Sequence, residues 1–427
     1  MKLQVHPSGL SGIVSIPGSK SHTIRAVAIA SLASGKSRIR SPLVSGDTLS
    51  AVSCYQTLGA QIDASNEKEW IIKGTAGKIL NEHCSIDVGN SGTTLRLAMG
   101  SASLASPKAA IAMTGDEQIQ ARPIGGLLQS LKDLGADGKC IKNNGCAPVE
   151  IRGTLKGGQT SIECFTSQFL SSLLLACPLA EKDSQINVLL LNEPDYARMT
   201  LDWLDRQGIR YENNGMKQFF IPGRQKYTSF DAPIPADFSS ATFFLCAGAL
   251  VGRDITLTGL DFTDSQPDKA VVDYLKQMGA HIEYSSEGVT ISKSPLKGID
   301  IDMNRTPDAL PAMAVTAAFA EGTTRFLNVP QARKKETDRI ACMAAELKKL
   351  GADVEELPDG LIVHGGKSLH SAHLDGRGDH RIVMALSLAG MVLDGCTVID
   401  TAEAMNVTFP TYVSLMQSLG ARMNVLP

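Results

Sequence analysis

Residues Leu347–Val354 read LKKLGADV, and five further stretches repeat their pattern: YQTLGAQI at Tyr55–Ile62, LKDLGADG at Leu131–Gly138, LDRQGIRY at Leu204–Tyr211, LKQMGAHI at Leu275–Ile282 and MQSLGARM at Met416–Met423. The glycines are Gly59, Gly135, Gly208, Gly279, Gly351 and Gly420, so successive spacings are 76, 73, 71, 72 and 69 residues. A near-constant period in a chain of 427 residues implies duplicated structural units. Glycine just past an amphipathic run is the left-handed residue that ends a helix. Lysines in the last turn of LKDLGA and ELKKLGA suit the negative end of the helix dipole. Each copy therefore predicts an amphipathic helix, a glycine stop and a strand.

A second element alternates with the first. Six Ala-, Ser- and Leu-rich runs, from SHTIRAVAIASLASG near the N-terminus to HRIVMALSLAGMV near the C-terminus, are apolar on nearly every side. Such helices are expected to be buried. Each repeat thus holds one buried helix, one amphipathic helix and short strands. Six repeats divide into two domains of three, and the Pro-rich stretch Asp231–Phe238 reads as the linker at the midpoint. The opening strand, KLQVHPSGLSGIVSIPG, stands outside the six-fold count. If it joins the second domain, the chain crosses twice and the crossing is a hinge.

The residues ahead of the buried helices are Lys20-Ser21, Asn90 to Thr93, Thr166-Ser167-Gln168, Asp237 with Ser239-Ser240, Pro307-Asp308 and Asp379-His380-Arg381. Most are helix-capping types. Helix starts gathered on a common face would offer free N–H groups and positive dipole ends to an anion. Lys20, Arg25, Arg96, Arg122, Lys335, Arg339 and Arg381 lie at these starts or in the loops between repeats. Arg25 and Arg96 sit inside apolar helices, where an unanswered charge is costly unless an anion meets it.

Composition narrows the choice. The net charge is −3, with no basic run, which excludes the phosphate-neutralising surface of a nucleic-acid binder. No apolar run is clean enough to read as a membrane span. Nine scattered cysteines without a CxxC pair read as reduced thiols of a cytoplasmic protein, and the N-terminus has no signal-like apolar core. PGSKS lacks the spacing of a nucleotide-binding P-loop. His370 and His373 could be half of a metal site but read more simply as a surface loop. Asp116-Glu117 reads as a solvated turn rather than an acid–base pair. RKKETDR has the look of a helix start capped by Thr337, with two cations and a carboxylate alongside.

Taken in order, PGSKSHTIR, GNSGTTLR, GDEQIQARPI, TSQFLSSLLLA, TPDALPAMAV, RKKETDR and GDHRIVMALSLA resemble the 5-enolpyruvylshikimate-3-phosphate synthase family over essentially the whole chain. The resemblance implies two inside-out α/β domains of three βαβαββ repeats each, 1–15 plus 235–427 and 16–234, joined by a two-stranded hinge. It implies a monomer that closes on shikimate 3-phosphate and phosphoenolpyruvate and moves the carboxyvinyl group to the 5-hydroxyl, with no metal or organic cofactor. The residue roles it implies are these. Lys20 touches both substrates and moves a proton. Ser21 and Arg25 bind the shikimate ring and carboxylate. Thr166, Ser167 and Gln168 hold the phosphate end, near Tyr196. Asn90, Gly92, Arg122, Arg339 and Arg381 hold phosphoenolpyruvate, with Gln168 also within its reach. Asp308 is the base, Glu336 handles the methylene proton, and Lys335 and Gln331 lie on the shikimate side.

The sequence also departs from that family. Val407 stands where a lysine is usual, Glu193 where a serine is usual near the phosphate, Gln331 where asparagine is common and Thr166 where serine is common. An acid beside a phosphate calls for an intervening cation, for which Arg198 is the candidate. Gly92 leaves room for a phosphoenolpyruvate mimic such as glyphosate, while Val407 implies weaker inhibition than in relatives that keep the lysine. The alternative is a paralogous enolpyruvyl transferase acting on another anionic cyclitol or sugar. The sister family that uses UDP-N-acetylglucosamine carries a reactive cysteine in the loop matching GDEQIQARPI, where this chain has none.

Overall fold

The computed structural model describes residues 1–427. All six glycine stops have positive φ: 119° at Gly59, 98° at Gly135, 66° at Gly208, 101° at Gly279, 90° at Gly351 and 107° at Gly420. The helix Arg339–Lys349 shows how each repeat is built. Ile340, Met343, Ala344 and Leu347 are buried at helical spacing, Lys348 and Lys349 occupy the last turn, and Gly351 turns the chain into the strand Asp353–Leu357. The N-cap here is Asp338, which accepts from the Ala341 N–H at 3.0 Å. Thr337, expected as the cap, instead donates to Asp379.

The second repeat displays the common plan in chain order: strand His83–Asp87, buried helix Gly92–Ala102, strand Ala110–Thr114, helix Gly125–Asp133, then strands Asp137–Cys140 and Val149–Arg152. The first two strands pair in parallel, and the last two complete the sheet antiparallel. All six sheets have four strands in this same order. The strands expose one face, whereas the buried helices are covered almost all round, as in Lys20–Leu32 and Phe238–Val251. Helices inside and sheets outside make the fold an inside-out α/β architecture.

The chain forms two compact units: Met1–Pro17 with Ala236–Pro427 (the host unit) and Gly18–Pro235 (the inserted unit). Each has its own hydrophobic core. The N-terminal stretch, expected as one strand, is two. Lys2–His6 lies between Thr397–Asp400 and Arg422–Leu426 and completes the sixth sheet. Leu10–Ser15 pairs in parallel with Gly252–Thr258 and supplies the first strand of the fourth sheet. The midpoint stretch is likewise not merely a linker, because Asp231–Pro233 pairs with Lys36–Arg40 and supplies the first strand of the first sheet.

Candidate active site

The starts of the buried helices are capped much as the sequence suggests. Ser19, Ser91, Thr166, Asp237 and Asp379 each accept from an N–H of the following turn. The fifth differs: Leu310–Ala318 is entered through a 3₁₀ turn, Pro307–Ala309, with no side-chain cap. Asp308 is thereby left for other partners.

In the inserted unit, Lys20 donates to Asp47 at 3.0 Å. Asp47 is buried, and its other oxygen has no hydrogen-bond partner. Arg25 is 1% exposed, and its guanidinium meets only uncharged acceptors: Thr200 Oγ1 at 2.8 Å, Ser171 Oγ at 3.3 Å, and the carbonyls of Ser21 and Tyr196, each at 3.0 Å. Burial lowers its pKa to about 10. A buried cation held by neutral dipoles keeps its full charge available to an anion.

The second and third helix starts meet around Gln168, which donates to Thr93 Oγ1 at 2.9 Å and accepts from Arg96 Nη1 at 2.8 Å. Arg96 also lies over the Phe169 ring. Gly92 is pressed by two guanidiniums, for a Cβ there would sit 2.6 Å from Arg96 Nη1 and 2.8 Å from Arg122 Nη1. Asn90 bonds Asp116 at 2.7 Å and Gln118 at 2.6 Å, and Asp116 caps the short helix Glu117–Ala121. Thr166 and Ser167 both donate to the Glu193 carboxylate. Arg198, expected to screen that acid, is exposed and faces Asp195.

The host unit carries a different cluster. Arg339 donates to Asp379 through Nε at 2.8 Å and Nη2 at 3.2 Å, to Asp308 at 2.8 Å, and to Glu336. Asp308 also faces Arg381 at 3.3 Å and Lys335 at 3.6 Å. Burial alone would raise the Asp308 carboxyl, but Arg381, Lys335 and Arg339 outweigh it and hold it well below the usual carboxylate range. Asp379 is lowered as well, Arg339 outweighing burial. Gln331 donates to the Asn304 carbonyl at 3.0 Å, while its buried Oε1 has no partner. Val407 ends the 3₁₀ turn Ala402–Val407 and is half-buried.

The weaker candidates stay outside these clusters. His373 pairs with Asp400 at 2.8 Å, and His370 lies against Gly351. Sequence reasoning missed Asp47, whose SGDT context reads as an ordinary helix start, and the second task of Asp379 as partner to Arg339.

Helix starts dense in cations, carboxylates and hydroxyls, set in a six-repeat α/β frame, define an enzyme for small, multiply anionic ligands. Residues 5–416 match the model of the family described as EPSP synthase (3-phosphoshikimate 1-carboxyvinyltransferase). The chain is 50% identical to the 3-phosphoshikimate 1-carboxyvinyltransferase of Ruminiclostridium cellulolyticum, with 100% of both chains covered. It is likewise 50% identical to that of Acetivibrio thermocellus, with 99% of each covered. A solved structure of EPSP synthase from Acinetobacter baumannii superposes with a TM-score of 0.82 at 28% identity, covering 99% of this chain and 100% of that one. The chain belongs to the EPSP synthase family. No helix is long and apolar enough to cross a membrane.

Proposed function

We propose that this chain transfers the carboxyvinyl group of phosphoenolpyruvate to the 5-hydroxyl of shikimate 3-phosphate. The hydroxyl oxygen bonds to C2 of phosphoenolpyruvate as its proton leaves and a proton adds to C3. The resulting tetrahedral intermediate then loses a C3 proton and phosphate, restoring the vinyl group. Asp308 takes the hydroxyl proton, and Glu336 and Lys20 exchange protons with the methylene carbon. Arg25, with Ser21, grips the ring carboxylate of the acceptor. Thr166, Ser167 and Gln168, beside Tyr196, take its phosphate, and Lys335 and Gln331 contact its ring side. Asn90, Gly92, Gln168, Arg122, Arg339 and Arg381 hold phosphoenolpyruvate, with Lys20 touching both substrates.

The observation that carries this reading is the cation ring around Asp308: Arg339 at 2.8 Å, Arg381 at 3.3 Å and Lys335 at 3.6 Å. A carboxylate so neutralised is a poor base. When substrate anions take those cations, Asp308 regains basicity at the moment a hydroxyl needs deprotonating. The protein acts as a cytoplasmic monomer in this reading, and its nine free thiols support the reducing compartment.

Phosphate release from phosphoenolpyruvate and shikimate 3-phosphate tests it. Wild type is expected to turn over, and Asp308→Asn to lose at least about 10³-fold in kcat. Turnover with another anionic cyclitol but not with shikimate 3-phosphate would move the assignment to the paralogous transferase.

A further inference from the structure

Glu193 immediately precedes Pro194, the first residue of the helix Pro194–Arg206, and adopts left-handed backbone angles of φ 56° and ψ 49°. At that position a side chain ordinarily accepts from its own helix's first N–H groups. Glu193 makes no such bond. Its Oε2 instead reaches the start of the third buried helix, Ser167–Ala176, accepting from Ser167 Oγ at 3.1 Å and Thr166 Oγ1 at 3.4 Å. The residue is 2% exposed. A buried carboxylate therefore holds the hydroxyl pair at a helix N-terminus, in the manner of a bound anion.

We propose that Glu193 is a specificity residue: its carboxylate occupies the donors that receive the acceptor's phosphate, so the phosphate binds only by displacing it. This rests on the assignment of Thr166 and Ser167 to that phosphate. Both hydroxyls donate to one oxygen, Oε2. Each hydroxyl has one proton to give, so neither can serve carboxylate and phosphate together. Once displaced, the carboxylate must still find solvation beside a phosphate of like charge. The penalty falls on phosphorylated acceptors and not on phosphoenolpyruvate, which Arg122, Arg339 and Arg381 hold.

The test is steady-state kinetics of Glu193→Gln, which keeps the shape and removes the charge, and of Glu193→Asn, which tolerates the left-handed backbone and is too short to reach the hydroxyls. The KM for shikimate 3-phosphate is expected to fall about tenfold while that for phosphoenolpyruvate moves less than about twofold. A residue needed only for structure would raise both KM values or lower the melting temperature. An unchanged or raised KM for shikimate 3-phosphate in the folded variants overturns the proposal. Inorganic phosphate, titrated against tryptophan fluorescence, separates this idea from the functional reading. Tighter phosphate binding in Glu193→Gln than in wild type supports the placeholder even if wild type fails to turn over shikimate 3-phosphate, and equal binding sinks it.

Discussion

Arg25 and Arg339 are both 1% exposed, yet they are opposites. Arg25 is surrounded by hydroxyl and carbonyl oxygens. Arg339 is surrounded by three carboxylates. Burial pulls the first guanidinium down to about 10, while Asp379, Glu336 and Asp308 outweigh burial and push the second up. Arg25 therefore carries a charge that its neighbours leave unneutralised. Arg339 is a strut whose charge is already answered, and it can grip a substrate only by giving up a carboxylate. Burial of an arginine does not by itself mark a binding site; the charge of its partners decides.

The largest test of this contrast is stability. Arg339→Leu takes the shared cation from three acidic groups, of which Asp308 keeps Arg381 and Lys335, and should cost about 3–5 kcal/mol of unfolding free energy. Arg25→Leu removes a charge that only neutral dipoles support and should cost no more than about 1–2 kcal/mol. Urea denaturation measures both, and equal losses would erase the distinction. Kinetics should reverse the emphasis for the acceptor: Arg25→Leu is expected to raise the KM for shikimate 3-phosphate at least about tenfold.

The pH dependence is a second, smaller test. Folding lowers the pKa of Asp308 and Asp379, so between the folded and unfolded values the unfolded chain binds more protons. Their contribution is full above the ordinary carboxylate pKa of about 4 and drains away as pH falls through the folded values. Urea midpoints followed downward from about pH 6 should drop less steeply in Arg339→Leu than in wild type, because that variant has already lost the pairing. Parallel slopes would show that the acid sensitivity lies elsewhere. The smallest effect is expected at Gly92. An added methyl group in Gly92→Ala must push the mobile ends of Arg96 and Arg122 aside, at a cost of about 1 kcal/mol and a roughly fivefold rise in the KM for phosphoenolpyruvate. An unchanged KM would mean that Arg122 does not hold that substrate.

The repeat was legible because a local requirement wrote it. Only glycine adopts the six positive φ values readily, so the stops recur in the sequence as letters. The cations at helix starts were legible for a similar reason, since Arg25 and Arg96 interrupt otherwise apolar runs. What stayed hidden was long-range. Nothing in KLQVH says that its neighbours are Thr397–Asp400 and Arg422–Leu426, because strand pairing is chosen by register and not by adjacency. Asp47 and Lys20 are 27 residues apart, and Arg339 and Asp379 are 40 apart. Each of those aspartates reads locally as a helix-start residue. The shift of the cap from Thr337 to Asp338 has the same origin, for Asp379 claims the threonine hydroxyl.

The two strands at the N-terminus have a consequence for the order in which the protein is made. During synthesis Lys2–His6 and Leu10–Ser15 leave the ribosome before the rest of the host unit, for their partners lie beyond residue 250. The inserted unit receives its last strand at Asp231–Pro233 and can close as soon as that segment emerges. From that point until residues 252–426 follow, the host unit exists only as two bare strand edges tethered to a finished neighbour, open to mispairing with other nascent chains. A circular permutant opened between Pro17 and Gly18, with Pro427 joined to Met1, would run from Gly18 through Pro427 to Pro17 and make every strand of the host unit contiguous. Lys2 and Leu426 already face each other, so the join is short. Expression of such a chain would isolate the cost of making a protein whose first words complete its last sentence.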